Sequence, residues 1–176
     1  SGIYASDNAG AGITIAGDSD GNVVRDSTVE GNDGPGIRHS YSERNEFRNV
    51  TVRYNDDRQV EADLNESFPT ISAAELRIGD AAEFAFDEEL VSLDVVERDD
   101  LPRLPECAQA VGDGVVVEGT IENGLDATLK TDDEAAGRIE LWRYDGREWT
   151  PEVTGVDEAD GDIEATLTED GIYAPV

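Results

Sequence analysis

The sequence predicts an all-β chain, with coils of a parallel β-helix over residues 1–66 followed by an antiparallel β-sandwich over residues 67–176. Three observations carry this prediction. The segment Asn22–Asn32 superimposes on Asn45–Asn55 at a 23-residue offset, a spacing that fits one coil of a parallel β-helix. The apolar runs are short, rich in β-branched residues and punctuated by Gly, Asn and Asp, so a helical reading fails. Beyond Val60 the repeat fades into alternating strands separated by turn residues.

Within the repeat, Val24 falls over Phe47, Thr28 over Thr51, Val29 over Val52 and Asn32 over Asn55. The prediction is of aliphatic stacks inside and an asparagine ladder at a turn. Gly12-Ile13, Gly36-Ile37 and then Val60 mark the coil openings. A solenoid coil buries its apolar side chains only against its neighbours, and about three repeats are the usual minimum. The chain carries about two and a half and opens abruptly at Ser1-Gly2-Ile3-Tyr4. It therefore reads as the carboxy-terminal part of a longer protein or as a processed piece, with further coils upstream or a second copy of itself as neighbours.

Ala62, Leu64 and Phe68-Pro69 read as a closing segment over the last coil. From Ile71 onward the pattern predicts antiparallel strands at Ala74–Ile78, Glu83–Phe86 and Val91–Val96, with turns at Gly79-Asp80 and Asp87-Glu88. Residues 99–112, with Pro102 and Pro105, read as a loop crossing between sheets. Strands resume at Val115–Val117, Ala127–Leu129, Ile139–Tyr144, Trp149–Val153, Ile163–Leu167 and Ile172–Ala174. Their spacing suits a sandwich anchored by Trp142, Tyr144, Trp149 and Tyr173.

Charge is the second strong signal. The chain carries 42 acidic against 13 basic residues, a net charge of −29, and Lys130 is its only lysine. Such self-repulsion is severe in dilute buffer but is screened within about 3 Å at molar salt. Scattered carboxylates on intact strand patterning fit a halophile protein rather than a disordered one. Nucleic-acid binding is excluded, because the arginines between Arg38 and Arg58 are interleaved with acids. An anionic membrane surface is disfavoured for the same reason, and no apolar run approaches the ~18–20 residues of a spanning helix. Cys107 stands alone, so there is no intrachain disulfide, and it reads as a small semi-buried residue.

The coil openings and the N-x-V/F-x-x-S/V-x-V periods resemble the right-handed parallel β-helix repeats of NosD-like and pectate-lyase-like proteins. The segments Ile139–Trp149, Gly161–Leu167 and Gly171–Val176 resemble the terminal β-sandwich of secreted haloarchaeal surface proteins. These resemblances imply a secreted or cell-surface protein of a halophilic archaeon that meets surface polysaccharide or glycoprotein. They also imply that outward side chains on matched coils carry any ligand: Arg25, Arg48 and Arg53, with Asp26 and Glu30 beside them. Arg25 stacks under Arg48 and Arg53 falls over Glu30, and such ladders read as solvated faces with neighbouring acids. No catalytic residue is assigned. His39, the only histidine, reads as an exposed turn residue without metal-binding partners, so the copper association of the NosD name does not carry over.

Hard cations have better candidates. Asp18, Asp20 and Asn22, and likewise Asp157, Asp160 and Asp162, place oxygen ligands at alternating positions of glycine-containing turns that would suit calcium. Neither turn matches an EF-hand, and no cofactor is required by the sequence. Asn49-Val50-Thr51 and Asn65-Glu66-Ser67 are sequons, which makes Asn49 and Asn65 candidate glycosylation sites in an exported protein. The expected function is a non-enzymatic surface module for adhesion, glycan recognition or structural assembly. The alternative is the carboxy-terminal portion of a polysaccharide lyase or glycoside hydrolase whose working coils lie upstream.

Overall fold

A computed structural model describes residues 2–64, 70–132, 139–152, 157–159 and 162–176, with only the backbone described at 88 and 157–159. Its strands are β1 (Tyr4–Ser6), β2 (Ile13–Ala16), β3 (Val23–Glu30), β4 (Ile37–Ser40), β5 (Asn45–Arg53), β6 (Val60–Ala62), β7 (Ile71–Ile78) and β8 (Ala82–Val96). A 3-10 turn at Arg98–Asp100 precedes β9 (Gly114–Thr120), β10 (Leu125–Leu129), β11 (Leu141–Tyr144), β12 (Trp149–Pro151), β13 (Asp157–Ala159), β14 (Asp162–Leu167) and β15 (Gly171–Pro175). Among the described residues there is no α-helix.

The expected coil register is present. β3 and β5 run parallel with Val24 opposite Phe47, Thr28 opposite Thr51 and Val29 opposite Val52. β2, β4 and β6 form a second parallel stack through Ile13, Ile37 and Val60. β3, β5 and β7 share one pattern: a buried residue, two exposed ones, then buried residues alternating with half-buried ones. The paired exposed positions break the period-2 alternation because the second of them turns left-handed: φ is 52° at Asp26, 50° at Asn49 and 59° at Glu75. A second left-handed column, Asp7, Gly31, Tyr54 and Gly79, has φ values of 55°, 63°, 54° and 58° and closes the same strands at their far end. The chain therefore bends at fixed places in every coil, and the strands of successive coils stay in line.

Inside each coil an asparagine reaches the next. Asn8 Nδ2 donates to Asn32 Oδ1 at 2.7 Å, and Asn32 Nδ2 donates to Asn55 Oδ1 at 2.7 Å. Asn55 Nδ2 in turn donates to Gln59 Oε1 at 2.9 Å. The backbone N–H groups of Asn8 and Asn32 donate to the same oxygens, so polar groups that the turn buries are satisfied along the axis. This ladder dictates the glycine of each coil opening. A Cβ on Gly12 would lie 2.7 Å from Asn32 Nδ2 and against Val29, and one on Gly36 would lie 2.6 Å from Asn55 Nδ2 and against Val52.

Two expectations are corrected. β7 is not the first strand of an antiparallel unit. It pairs parallel with β5, Phe47 opposite Ala73, Val50 opposite Leu76 and Val52 opposite Ile78, and is a further rung of the solenoid. Nor is there a turn at Asp87-Glu88, since β8 runs unbroken through it for 15 residues. The first half of β8 lies antiparallel on β7, from Ile78 opposite Ala82 to Ile71 opposite Glu89, with register shifts that let it bend. Its second half reaches β6 at Val60 opposite Leu93. One strand thus continues both stacks.

Beyond β8 the pairing is antiparallel throughout. β10 joins its first half and is followed by β14 and then β13, while β9 joins its second half and is followed by β15, β11 and β12. The sheet is therefore mixed. The inward side chains of both stacks form one apolar cluster running from Ile15 and Val24 through Phe47, Leu76, Phe84 and Leu93 to Leu141, Ile163 and Tyr173. Trp149 is buried and its Nε1 donates to the Pro102 carbonyl at 3.0 Å, which fastens the crossing loop. Cys107, in that loop, is exposed rather than semi-buried, because few apolar side chains flank it.

Candidate functional site

The arginine ladder exists as a backbone register, Arg25 opposite Arg48, but the two guanidinium groups differ in state. Arg48 is clamped by Glu46, Nε on Oε1 and Nη2 on Oε2 at 2.7 Å. Arg25 is exposed and has no carboxylate partner among the described residues. Arg53 Nε donates to Glu30 Oε2 at 2.7 Å, as the register predicts. The same Glu30 accepts the Tyr4 hydroxyl at 2.5 Å. These two hydrogen bonds, Tyr4 first and Arg53 second, hold the Glu30 carboxyl below its ordinary value, and the Tyr4 phenol is raised in return. The Arg53 guanidinium carbon lies 5.3 Å from the centre of the Tyr54 ring, and the Tyr54 hydroxyl donates to Asp80 at 2.8 Å, which raises that phenol too.

The candidate cation turn at Asp18, Asp20 and Asn22 is partly committed elsewhere. Asn22 Nδ2 donates to the Ser19 carbonyl at 2.6 Å and to Asn45 Oδ1 at 3.1 Å. Asp20 accepts the Glu43 N–H at 2.8 Å and lies 3.8 Å from Arg44. In the other turn, Asp160 and the side chain of Asp157 lie outside the described residues, and Asp162 pairs with Lys130 at 2.5 Å. Among the described residues no three acidic, histidine or cysteine side chains converge as a metal cluster. Asn49 is exposed, donating to Asp26 at 3.0 Å and accepting from Arg77 at 3.0 Å, so a glycan there would replace a donor already in use. Asn65 lies outside the described residues.

His39 overturns its expectation. It is fully buried, on the inward side of β4, because a second ladder ends on it. Asn45 Oδ1 accepts the Asn22 backbone N–H at 2.9 Å, which turns Asn45 Nδ2 toward His39 Nε2 at 3.1 Å. Nε2 is therefore the acceptor and the ring proton sits on Nδ1, which is buried without a hydrogen-bond partner. Burial lowers the His39 pKa to about 4, and the ring is neutral at physiological pH.

Sequence reasoning missed a cleft of about 480 Å³ beside β4 and β6, whose lining includes Arg38, Arg58, Glu61, Asp63 and Glu118 together with the buried His39 and Ser92. It lies where β6 and β8 pair only at Val60 and Leu93, with Ser92 Oγ accepting the Ala62 N–H at 2.9 Å beside it. Arg38 pairs with Glu61 and Arg58 with Glu118, both at 2.6 Å. Asp94, whose carboxyl burial raises, lies close to Arg58. The 23-residue offset between Arg38 and Glu61, the same as between Glu30 and Arg53, was the available signal. The cleft offers alternating donors and acceptors with no net cation excess.

Among known proteins, residues 1–75 match the family model described as a right-handed β-helix region. The match runs into β7, in agreement with the parallel register of that strand. No curated protein and no solved structure matches the chain. The parallel pairing of β1, β3, β5 and β7 agrees with that similarity to a β-helix region.

Proposed function

We propose that this chain is a non-enzymatic secreted or cell-surface module of a halophile, a β-helix end continued by an antiparallel β-sandwich and used for glycan recognition or structural assembly. The observation that supports it best is how the outward side chains are spent. Asn49 bonds Asp26, Arg53 bonds Glu30 and Tyr54 bonds Asp80 on the first stack, and Arg38 bonds Glu61 on the second, so the polar face of each stack is tied from coil to coil along the axis. A face built this way is a rigid platform whose polar groups are pre-positioned for ligand contacts.

A glycan array in molar salt tests the reading, with the native chain beside an Arg25→Ala, Arg48→Ala double variant. Retention of defined glycans by the native chain is expected, and retention of none removes recognition from the proposal. Binding that survives the double replacement takes the arginine ladder out of it. The cleft with Glu61, Asp63 and Glu118 favours a second reading, a polysaccharide-active portion of an enzyme. Release of reducing ends or unsaturated products from the bound glycans would select that reading.

A further inference from the structure

Among the described residues six large hydrophobic side chains are exposed, and the two most exposed of them, Tyr4 and Tyr54, stand on one ridge of the first stack. Tyr4 is 67% exposed and Tyr54 is 64% exposed. Tyr4 stands on the first rung, opposite Thr28 and through it Thr51, and Tyr54 follows the end of β5 three residues beyond Thr51, so the two backbones are offset by two strand spacings and three residues along the strand, about 14 Å on the diagonal. Neither ring is free to swing. Tyr4 is held by its hydroxyl on Glu30, Arg53 grips the same carboxylate, Arg53 sits over the Tyr54 ring, and the Tyr54 hydroxyl is held by Asp80. The row Tyr4, Glu30, Arg53, Tyr54, Asp80 is therefore one continuous chain of contacts with an aromatic ring near each end.

Tyr54 also occupies a backbone position that does not suit it. Its φ of 54° lies in the left-handed column shared with Asp7, Gly31 and Gly79. Glycine and aspartate accept that conformation readily, and a tyrosine does not. Exposure, an uncommon backbone conformation and a locked ring together single out Tyr54 as a surface contact point.

We propose that Tyr4 and Tyr54, with the Glu30–Arg53 pair between them, form a binding ridge on which an uncharged polysaccharide lies with its sugar rings stacked on the tyrosines. Aromatic faces take up the C–H face of a pyranose, and the flanking carboxylate and guanidinium offer an acceptor and donors to its hydroxyls. An acidic polymer is disfavoured by the net charge of −29 and by the neutralisation of Arg53. Stacking and hydrogen bonding are short-range, so they persist where salt screens Coulomb attraction within about 3 Å.

This ridge rests on the glycan-recognition reading above, and affinity electrophoresis separates the two. The full chain is run through gels containing mannan, laminarin, dextran or polygalacturonate, in dilute buffer and in molar salt. Retardation by at least one neutral polymer is expected, undiminished at high salt, and weakened about tenfold in a Tyr4→Ser, Tyr54→Gly double variant. Glycine suits the left-handed position, so that variant is not expected to lose its fold, and circular dichroism checks this. Tyr54→Phe, which keeps the ring, should retain binding. Neutral-polymer binding that survives the double variant, or binding confined to polygalacturonate, overturns the ridge while leaving glycan recognition standing. Binding to none of the polymers overturns both.

Discussion

A fully buried, neutral histidine makes the stability of this chain depend on pH in a defined direction. The His39 pKa is lowered from 6.5 to about 4 in the fold, so the unfolded chain takes up a proton there that the folded chain refuses. Its contribution is complete above about pH 6.5 and is lost as the pH falls toward about 4, with a slope approaching about 1.4 kcal/mol per pH unit. Denaturant titrations of the native chain and of His39→Gln across that interval should diverge, the variant lacking this part of the slope. Equal slopes would show that His39 is protonated in the fold. Glu75, exposed with a φ of 59°, should behave oppositely to a residue in its best conformation. Replacement by Asn, which holds the same column at Asn49, is expected to raise stability by about 0.5–1 kcal/mol, read as a higher melting midpoint.

The asparagine ladder acts as one element. Asn32 is 1% exposed and bonds Asn8 on one side and Asn55 on the other, so Asn32→Ala strands several buried polar groups and should cost about 3 kcal/mol. Asn8, exposed at the end of the ladder, should cost below about 1 kcal/mol on the same change. Equal losses by chemical denaturation would mean that the ladder does not bury its interior members. This element was legible in the sequence because Asn32 and Asn55, with Val29 and Val52, repeat at one offset. β7 was not legible for a physical reason. Its residues pair with β5 at an offset of 26 rather than 23, Ala73 standing where Phe47 stood and Ile71 where Asn45 stood, so both spacing and signature residues change together. The burial of His39 was hidden too, since it depends on the Asn22–Asn45 ladder arriving beside it from other coils. Among candidate site residues, the Arg25–Arg48 and Glu30–Arg53 registers were readable from the repeat. The cleft was not, because Ser92 and Glu118 reach it only through β8 and β9.

At the scale of the whole molecule, the ten salt bridges among the described residues offset only part of the acidic side chains, and a net charge of −29 remains to repel itself. The melting midpoint should rise steeply from dilute buffer to molar salt as repulsion is screened, and a midpoint indifferent to salt would contradict salt adaptation. Because β8 belongs to both stacks and a single apolar cluster crosses it, heating should give one cooperative transition, with coincident near- and far-ultraviolet circular dichroism curves. The reversed direction of β8 carries a further consequence. A parallel solenoid can in principle lengthen indefinitely, each new turn templated by the last. The outer edge of β8 is already taken, by β10 along its first half and β9 along its second, both antiparallel, so β8 acts as a full stop to coil addition and fixes the reach of the stack on that side.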